Sequence, residues 1–161
     1  MPNVDVPDGT YRFTNVAAGI GTPTSQSWQI SLEAEAGDLY DGHYRASYPA
    51  IAWSAPDGKL SVSLQPIFIW YYSRHGDGSV HAESLDAVYS FTPRLSLSTL
   101  IEYDNISHTT SVNAQLQWLI RSNRVFYLVW NRGLRIDPNL LQRGQTITGD
   151  TVIAKIVWGL K

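Results

Sequence analysis

The alternation of apolar and polar residues between Arg94 and Arg132 constrains the fold of this chain more than any other feature. From Leu95 to Tyr103, Leu95, Leu97, Ile101 and Tyr103 recur on every second or fourth position, with polar serines between them. After a polar turn at Asp104–Thr109 the alternation resumes at Val112, Ala114, Leu116, Trp118 and Ile120, and again at Phe126, Leu128 and Trp130. A period of two over about ten residues, repeated three times, is typical of an antiparallel meander with one apolar and one polar face.

The remainder of the chain shows the same pattern and no helical periodicity. We predict nine strands, at 11–20, 28–35, 44–53, 60–72, 80–91, 95–103, 112–120, 125–131 and 151–160. Residues 1–9 contain two prolines and are predicted to form an arm, and residues 10–161 a single domain. Pro49 lies inside the third strand and predicts a bulge or an edge there. The predicted fold class is all-β, an antiparallel up-and-down meander of about eight to nine long strands, either a transmembrane β-barrel or part of one.

Composition excludes several classes of function. The net charge is −2 and no basic run is present, so nucleic acid is not an expected partner. The chain has no cysteine, which excludes disulfides and thiolate metal sites. No glycine cluster precedes a helix, as phosphate and dinucleotide sites require, and no cofactor is expected.

The lengths of the connections predict two different ends of the sheet. Segments 37–42, 73–79, 104–109 and 133–150 fall at one end, and most of the segments at the other, 21–26, 54–58, 92–94 and 121–124, are shorter. Bacterial outer-membrane barrels have short periplasmic turns and longer outer loops. Strands of about ten residues also match the roughly 25 Å apolar band of such barrels once they are tilted.

The two faces of the meander then have separate roles. Residues predicted to face lipid are Leu32, Leu64, Phe68, Leu97, Leu116, Trp118, Leu128 and Trp158. Residues predicted to line a wet lumen are Glu33, Glu35, Arg45, Gln65, Asp86, Asn113, Gln115, Gln117 and Lys155. The six Trp and nine Tyr suit a sheet interior or a membrane interface, and those predicted near strand ends are Trp28, Tyr44, Trp53, Trp70, Tyr72, Tyr103, Trp118, Trp130 and Trp158.

Histidines and carboxylates collect at the end with the longer loops. His43, His75, His81 and His108 lie there in sequence with Asp38, Asp41, Asp77, Glu83 and Asp104. Their spacing fits no metal motif, and a glycosidase pair needs two carboxylates about 5–10 Å apart, which no sequence spacing establishes. We therefore predict neither a metal site nor a catalytic residue.

Several segments resemble a known family. These are DGTYRFTNVAAGIGTPTSQSW, AGDLYDGHYRASYPAIAWS, FTPRLSLSTLIEYDN, NAQLQWLIRSNRVFYLVWNRG and VIAKIVWGL, which together extend over about residues 8–161. They resemble, in order, the C-terminal outer-membrane β-barrel region of bacterial proteins that carry a family-nine-like carbohydrate-binding module ahead of a barrel of unknown function. That barrel is several times longer than this chain, so the resemblance implies a segment of a larger barrel. It also implies a bacterial outer-membrane location and a link to carbohydrate uptake or processing.

The function predicted from these features is a structural wall or passive pore for small solutes. Its expected partners are outer-membrane lipid or detergent and the rest of a larger barrel. The chain opens without an export signal, so we expect any such signal outside this sequence. Two alternatives stay open: a soluble β-sandwich or small barrel that binds an apolar or sugar ligand, and an accessory part of a carbohydrate-active enzyme.

Overall fold

The computed structural model describes residues 9–74, 76–136 and 145–159, and these form nine strands. The strands are β1 Asn15–Gly21, β2 Trp28–Leu39, β3 Gly42–Ser54, β4 Leu60–Ser73, β5 Gly76–Thr92, β6 Leu95–Asp104, β7 Thr109–Arg121, β8 Arg124–Ile136 and β9 Gln145–Trp158. The predicted all-β meander is confirmed. None of the described residues forms a helix long and apolar enough to cross a bilayer.

The strands form one antiparallel sheet in the order β1 to β9, and the sheet is not closed. Every strand pairs with its neighbours in sequence, and the described strands supply no second layer. The accessible surface is 11800 Å² for an 18.0 kDa chain. A compact monomer of that mass exposes about 8,000 Å². The sheet therefore leaves both faces accessible, and it has the shape of a wall rather than of a packed globule.

The most buried side chains lie where β3 and β4 pair. Among the described residues only Ala46 and Tyr71, 4% and 8% exposed, count as buried apolar side chains. Tyr71 is the register partner of Gly78 on β5. A β-carbon built on Gly78 would lie 2.0 Å from the Tyr71 hydroxyl oxygen, so the ring covers the place where a side chain would stand. An aromatic ring over a cross-strand glycine is a known way of fixing strand register.

Close contacts at two glycines explain why two predicted loops are wrong. Segments 37–42 and 73–79 are polar and rich in glycine, which predicts loops. In the structure β2 continues to Leu39, β3 begins at Gly42 and β5 begins at Gly76. Gly42 and Gly78 are sites of close approach between strands, where a side chain would collide with Tyr72 or Tyr71. Glycine here permits strand pairing instead of ending it.

The predicted difference between the two ends is consequently found only in the C-terminal half. We call end A the end that carries connections 22–27, 55–59, 93–94 and 122–123, and end B the end that carries 40–41, 74–75, 105–108 and 137–144. End A has the longer connections among the first four strands, and end B has them among the last four. The prediction that most connections at end A are the shorter ones is therefore wrong for the first four strands, because β2 to β5 continue almost to their turns at end B.

Pro49 marks neither a bulge nor an edge, contrary to the prediction. It pairs with Leu32 in the interior strand β3. On the other side of β3, the register with β4 is the same before and after Pro49, with no pairs between Ser47↔Phe68 and Ile51↔Leu64. That constant register places Pro49 opposite Pro66. The two residues without N–H groups thus face each other, and the gap in the ladder is confined to one site.

Two predicted segments fall partly outside the described residues. The N-terminal arm, predicted at 1–9, is described only at Gly9. Strands replace both ends of the loop predicted at 133–150, because β8 extends to Ile136 and β9 begins at Gln145. Residues 137–144 between them lie outside the described part of the chain.

Candidate lipid-facing and lumen-facing surfaces

The strand register assigns every strand residue to one of two faces, because directly paired residues in an antiparallel sheet share a face. Leu32 on β2 pairs with Pro49 on β3, and Ile51, two residues further along β3, pairs with Leu64 on β4. Leu64 pairs with Leu85 on β5, which pairs with Ile101 on β6. The pairs Leu97↔Leu116 and Leu116↔Leu128 continue this series. All eight predicted lipid-facing residues lie on this face, which we call the apolar face: Leu32, Leu64, Phe68, Leu97, Leu116, Trp118, Leu128 and Trp158.

Eight of the nine predicted lumen residues lie on the opposite, polar face. They are Glu33, Glu35, Gln65, Asp86, Asn113, Gln115, Gln117 and Lys155. Arg45 is the exception and is a correction. It pairs with Ala36 on β2 and with Trp70 on β4, so it lies on the apolar face. Arg45 is exposed and close to end B, where its long side chain can carry the guanidinium toward water.

Aromatic residues form two rows across the apolar face. The row near end A contains Trp28, Trp53, Tyr89, Trp118, Phe126 and Trp158, in which Trp28 and Trp53 are register partners with ring centroids 6.1 Å apart. The row near end B contains Trp70, Tyr72 and Tyr103. Trp130, predicted near a strand end, lies at the centre of β8 instead, four residues from Phe126. Tyr44, predicted to belong with these rings, lies on the polar face and pairs with Tyr71. Paired aromatic rows flanking an aliphatic band are typical of a sheet wall at two membrane interfaces.

Between the rows, the described side chains of the apolar face are uncharged except on β5, where Glu83 and His81 lie opposite Pro66 and Phe68 in the half of the band nearer end B. On β8 this interval is bounded by Arg124 and Arg132. Eight residues of antiparallel strand extend roughly 27 Å, or about 20 Å across a membrane when tilted near 40°. On β4, the interval from Leu60 to Trp70 is ten residues, which gives about 26 Å. These values bracket the roughly 25 Å apolar band of outer-membrane barrels.

The two arginines that bound the apolar band on β8 each place their guanidinium group over a tryptophan ring. The Arg124 guanidinium lies 3.6 Å from the ring centroid of Trp158, and that of Arg132 lies 5.3 Å from Trp130. Arg132 also forms an ion pair with Asp150 at 2.5 Å, and the Trp130 Nε1–H donates to the other Asp150 carboxylate oxygen at 2.8 Å. Rings and charges are therefore held together at each edge of the band, as suits side chains at a polar–apolar boundary.

The polar face forms shallow grooves lined by hydrogen-bonding groups. A groove of about 360 Å³ is lined by Gln65, Ser84, Glu102 and Ser111, with the Ser111 hydroxyl donating to Glu102 at 3.2 Å. A second groove, of about 280 Å³, lies between Gln29 and Ser63. Asn113 donates to the Asn131 side chain on the next strand. These polar groups bond to one another across strands and still face an open groove, which suits a hydrated surface.

Glu35 is the centre of a three-residue network on this face. The Tyr44 hydroxyl donates to Glu35 Oε1 at 2.5 Å, and the Asn15 amide donates to the same oxygen at 2.7 Å. The three residues lie on β1, β2 and β3. The network therefore ties the first three strands together through side chains, in addition to the backbone ladder.

Residues missed by the sequence patterns concentrate on the polar face of β3. Tyr44 and Tyr48 both lie there, although their size and aromatic character predicted an apolar or interfacial role. Glu102 was also absent from the predicted lumen set and pairs with Ser84 and Ser111. The alternation of β6 places Glu102 with Ser96 and Ser98, so its position could have been predicted. That of Tyr44 could not, because β3 does not alternate cleanly.

The carboxylate Asp104 has a structural role at its turn. Its carboxylate accepts hydrogen bonds from the Ile106 N–H at 3.0 Å, the Ser107 N–H at 2.7 Å and the Ser107 hydroxyl. This closes the turn from β6 to β7 in the way Asp commonly does. Among the described residues, no group of three or more His, Asp or Glu side chains is arranged to hold a metal ion, and His75 lies outside them.

Comparisons with known proteins add no assignment. Neither the protein-family models, nor the curated proteins, nor the solved structures compared with this chain give a match. The resemblance to a barrel that follows a carbohydrate-binding module therefore stays a prediction. The chemistry of the two faces is the basis on which a function can be proposed.

Proposed function

We propose that this chain is a wall segment of a bacterial outer-membrane β-barrel, with the apolar face toward lipid and the polar face toward a wet lumen. The observation that carries the proposal is the apolar band between two aromatic rows, in which Glu83 and His81 on β5 lie in the half nearer end B. In water such a band exposes large side chains, including Leu64 at 40% and Trp118 at 48%. Exposed apolar surface of this extent marks a face that contacts something apolar.

Hydrocarbon suits this face better than a protein core does. A β-sandwich buries its apolar face under a second sheet about 10 Å away. The described strands form a single sheet, so they contain no such layer. A membrane wall needs none, since lipid covers the band and water covers the polar face.

The segment acts as a structural wall, and any passive pore for small solutes belongs to the closed barrel that it helps to build. The polar face would line that pore with carboxylates, amides and hydroxyls. A link to carbohydrate uptake or processing follows from the family resemblance. Tyrosine rings and amides such as Tyr48 and Gln65 on the polar face are groups that contact sugars well.

Extraction tests the proposal. The chain, refolded with phosphatidylcholine vesicles, is expected to float with the vesicles and to resist washing with alkaline carbonate. Release should require detergent, and the released protein should keep a β-type circular dichroism spectrum. Recovery of a stable, folded monomer in detergent-free buffer would contradict the proposal.

A further inference from the structure

The two outer strands, β1 and β9, have one neighbour each among the described strands. β9 extends over 14 residues and β1 over 7. Edge strands that remain free are commonly short, or carry lysine and proline that discourage further pairing. β9 has no proline and one lysine, Lys155, and from Val152 to Trp158 its other side chains are apolar on both faces, for example Ile153 and Ile156 at 50% and 60% exposed. A long apolar edge of this kind is a pairing surface.

The direction of the two outer strands restricts what pairs there. Nine strands that alternate in direction leave β1 and β9 running the same way, from end B to end A. Direct closure would make a parallel pair, whereas all eight pairs of this sheet are antiparallel. Closure of that kind would also leave about half of β9 unpaired, because β1 is half as long.

A second copy of the chain does not fit these edges either. Antiparallel pairing of β9 with β9 of another copy requires a two-fold axis perpendicular to the sheet. That axis would place end A of one copy beside end B of the other. In a membrane, the same chain would then be inserted in both orientations, whereas the strands and loops of an outer-membrane barrel have one orientation.

We propose that β1 and β9 are pairing edges for a segment with an odd number of strands, whose two outermost strands both run from end A to end B. Nine strands plus an odd number give an even total with antiparallel pairs throughout, as in bacterial barrels. The proposal rests on the proposed function for its setting, and it specifies the partner: β-strands of a larger barrel, added antiparallel to β9.

Cysteine cross-linking tests the direction of pairing, because the chain has no native cysteine. The probe is a peptide with the β6 sequence Leu95–Asp104 and one added N-terminal cysteine. β6 has the required alternation and does not neighbour β9, so a cross-link to β9 reports pairing at the free edge. The full chain is refolded in detergent micelles as Val157→Cys or as Thr146→Cys, near the end and the start of β9.

Antiparallel pairing predicts disulfide formation with Val157→Cys several-fold faster than with Thr146→Cys, and little with a peptide of scrambled sequence. A preference for Thr146→Cys, or cross-linking no better than that of the scrambled peptide, would overturn the proposal.

A Thr151→Cys variant tests the second copy, since a disulfide-linked homodimer through the middle of β9 would also overturn it. The Ala18→Cys/Ala154→Cys double variant tests self-closure in the same way. Circular dichroism of each variant confirms that the sheet is folded.

Failure here is distinguishable from failure of the proposed function. Cross-linking is measured in micelles, where edge pairing does not depend on which face contacts lipid in a bilayer. Vesicle flotation without antiparallel cross-linking would remove only the partner proposal, and antiparallel cross-linking of a chain that is stable in buffer would remove only the membrane setting.

Discussion

Replacement of Leu64 by arginine distinguishes lipid from water on the apolar face. Leu64 lies on β4 and pairs with Ile51 and Leu85. It is four residues from Leu60 at the end A side of the band and six from Trp70 at the end B side, which places it near mid-band. Its neighbour Gln65 lies on the polar face, and both side chains are exposed. Gln65→Arg is therefore a matched control on the same strand and at nearly the same depth.

The expected difference between the two variants follows from the depth of Leu64. Four residues of tilted strand place it about 10 Å from the end A row, close to the middle of a band about 25 Å high. Arginine on the lipid face near the midplane costs about 2–4 kcal/mol. A substitution to arginine on a water-exposed surface usually changes stability by no more than about 0.5 kcal/mol. The unfolding equilibrium constant of Leu64→Arg should therefore exceed that of Gln65→Arg by roughly 10-fold or more.

The assay is reversible urea unfolding of the chain in phosphatidylcholine vesicles, followed by tryptophan fluorescence. We expect Leu64→Arg to be destabilised by about 2–4 kcal/mol relative to the unsubstituted chain and Gln65→Arg to stay within about 0.5 kcal/mol. Equal, small effects of both substitutions would mean that both faces contact water. Complete loss of folding in Leu64→Arg, in detergent as well as in lipid, would mean a dry protein core.

Other substitutions test the features that position the two faces. Gly78→Ala should destabilise the sheet by about 1–3 kcal/mol, because the added methyl collides with Tyr71. Gly149→Ala meets no atom within 4 Å and should stay within about 0.5 kcal/mol in the same urea titration; equal effects would contradict the role of the Tyr71 ring. Asp104→Ala removes the acceptor for Ile106 and Ser107 and should cost about 1–2 kcal/mol, detected as faster amide hydrogen exchange at the β6–β7 turn. Unchanged exchange there would show that Asp104 does not hold the turn.

The alternation in the sequence predicts the meander, and it assigns most side chains to the correct face of the sheet, for a simple physical reason. A strand with one face in water and one away from it must alternate, and β4, β6 and β7 do so with few exceptions. All eight predicted lipid-facing residues share a face because the register shifts of the described strands lie at or near strand ends and leave the pairing of the strand centres unchanged. For such strands, local pattern and tertiary environment agree.

The positions that could not be predicted depend on contacts between strands. β3 carries Arg45 on its apolar face and Tyr44 on its polar face, so its own pattern assigns neither side chain. The extension of β5 to Gly76 depends on Tyr71, a residue of another strand, covering Gly78. The open edges likewise depend on the order and direction of all nine strands, which no single segment reports.

A cysteine scan along β7 tests the two-faced wall most directly. Single cysteines from Ser111 to Trp118 carry a nitroxide spin label in vesicles, and its collision rates with oxygen and with a water-soluble nickel chelate are measured. We predict two opposite alternations: labels at Val112, Ala114 and Leu116 collide more with oxygen, which dissolves in hydrocarbon, and labels at Asn113 and Gln115 collide more with the chelate. Chelate access that is the same on both faces would contradict the two-faced wall.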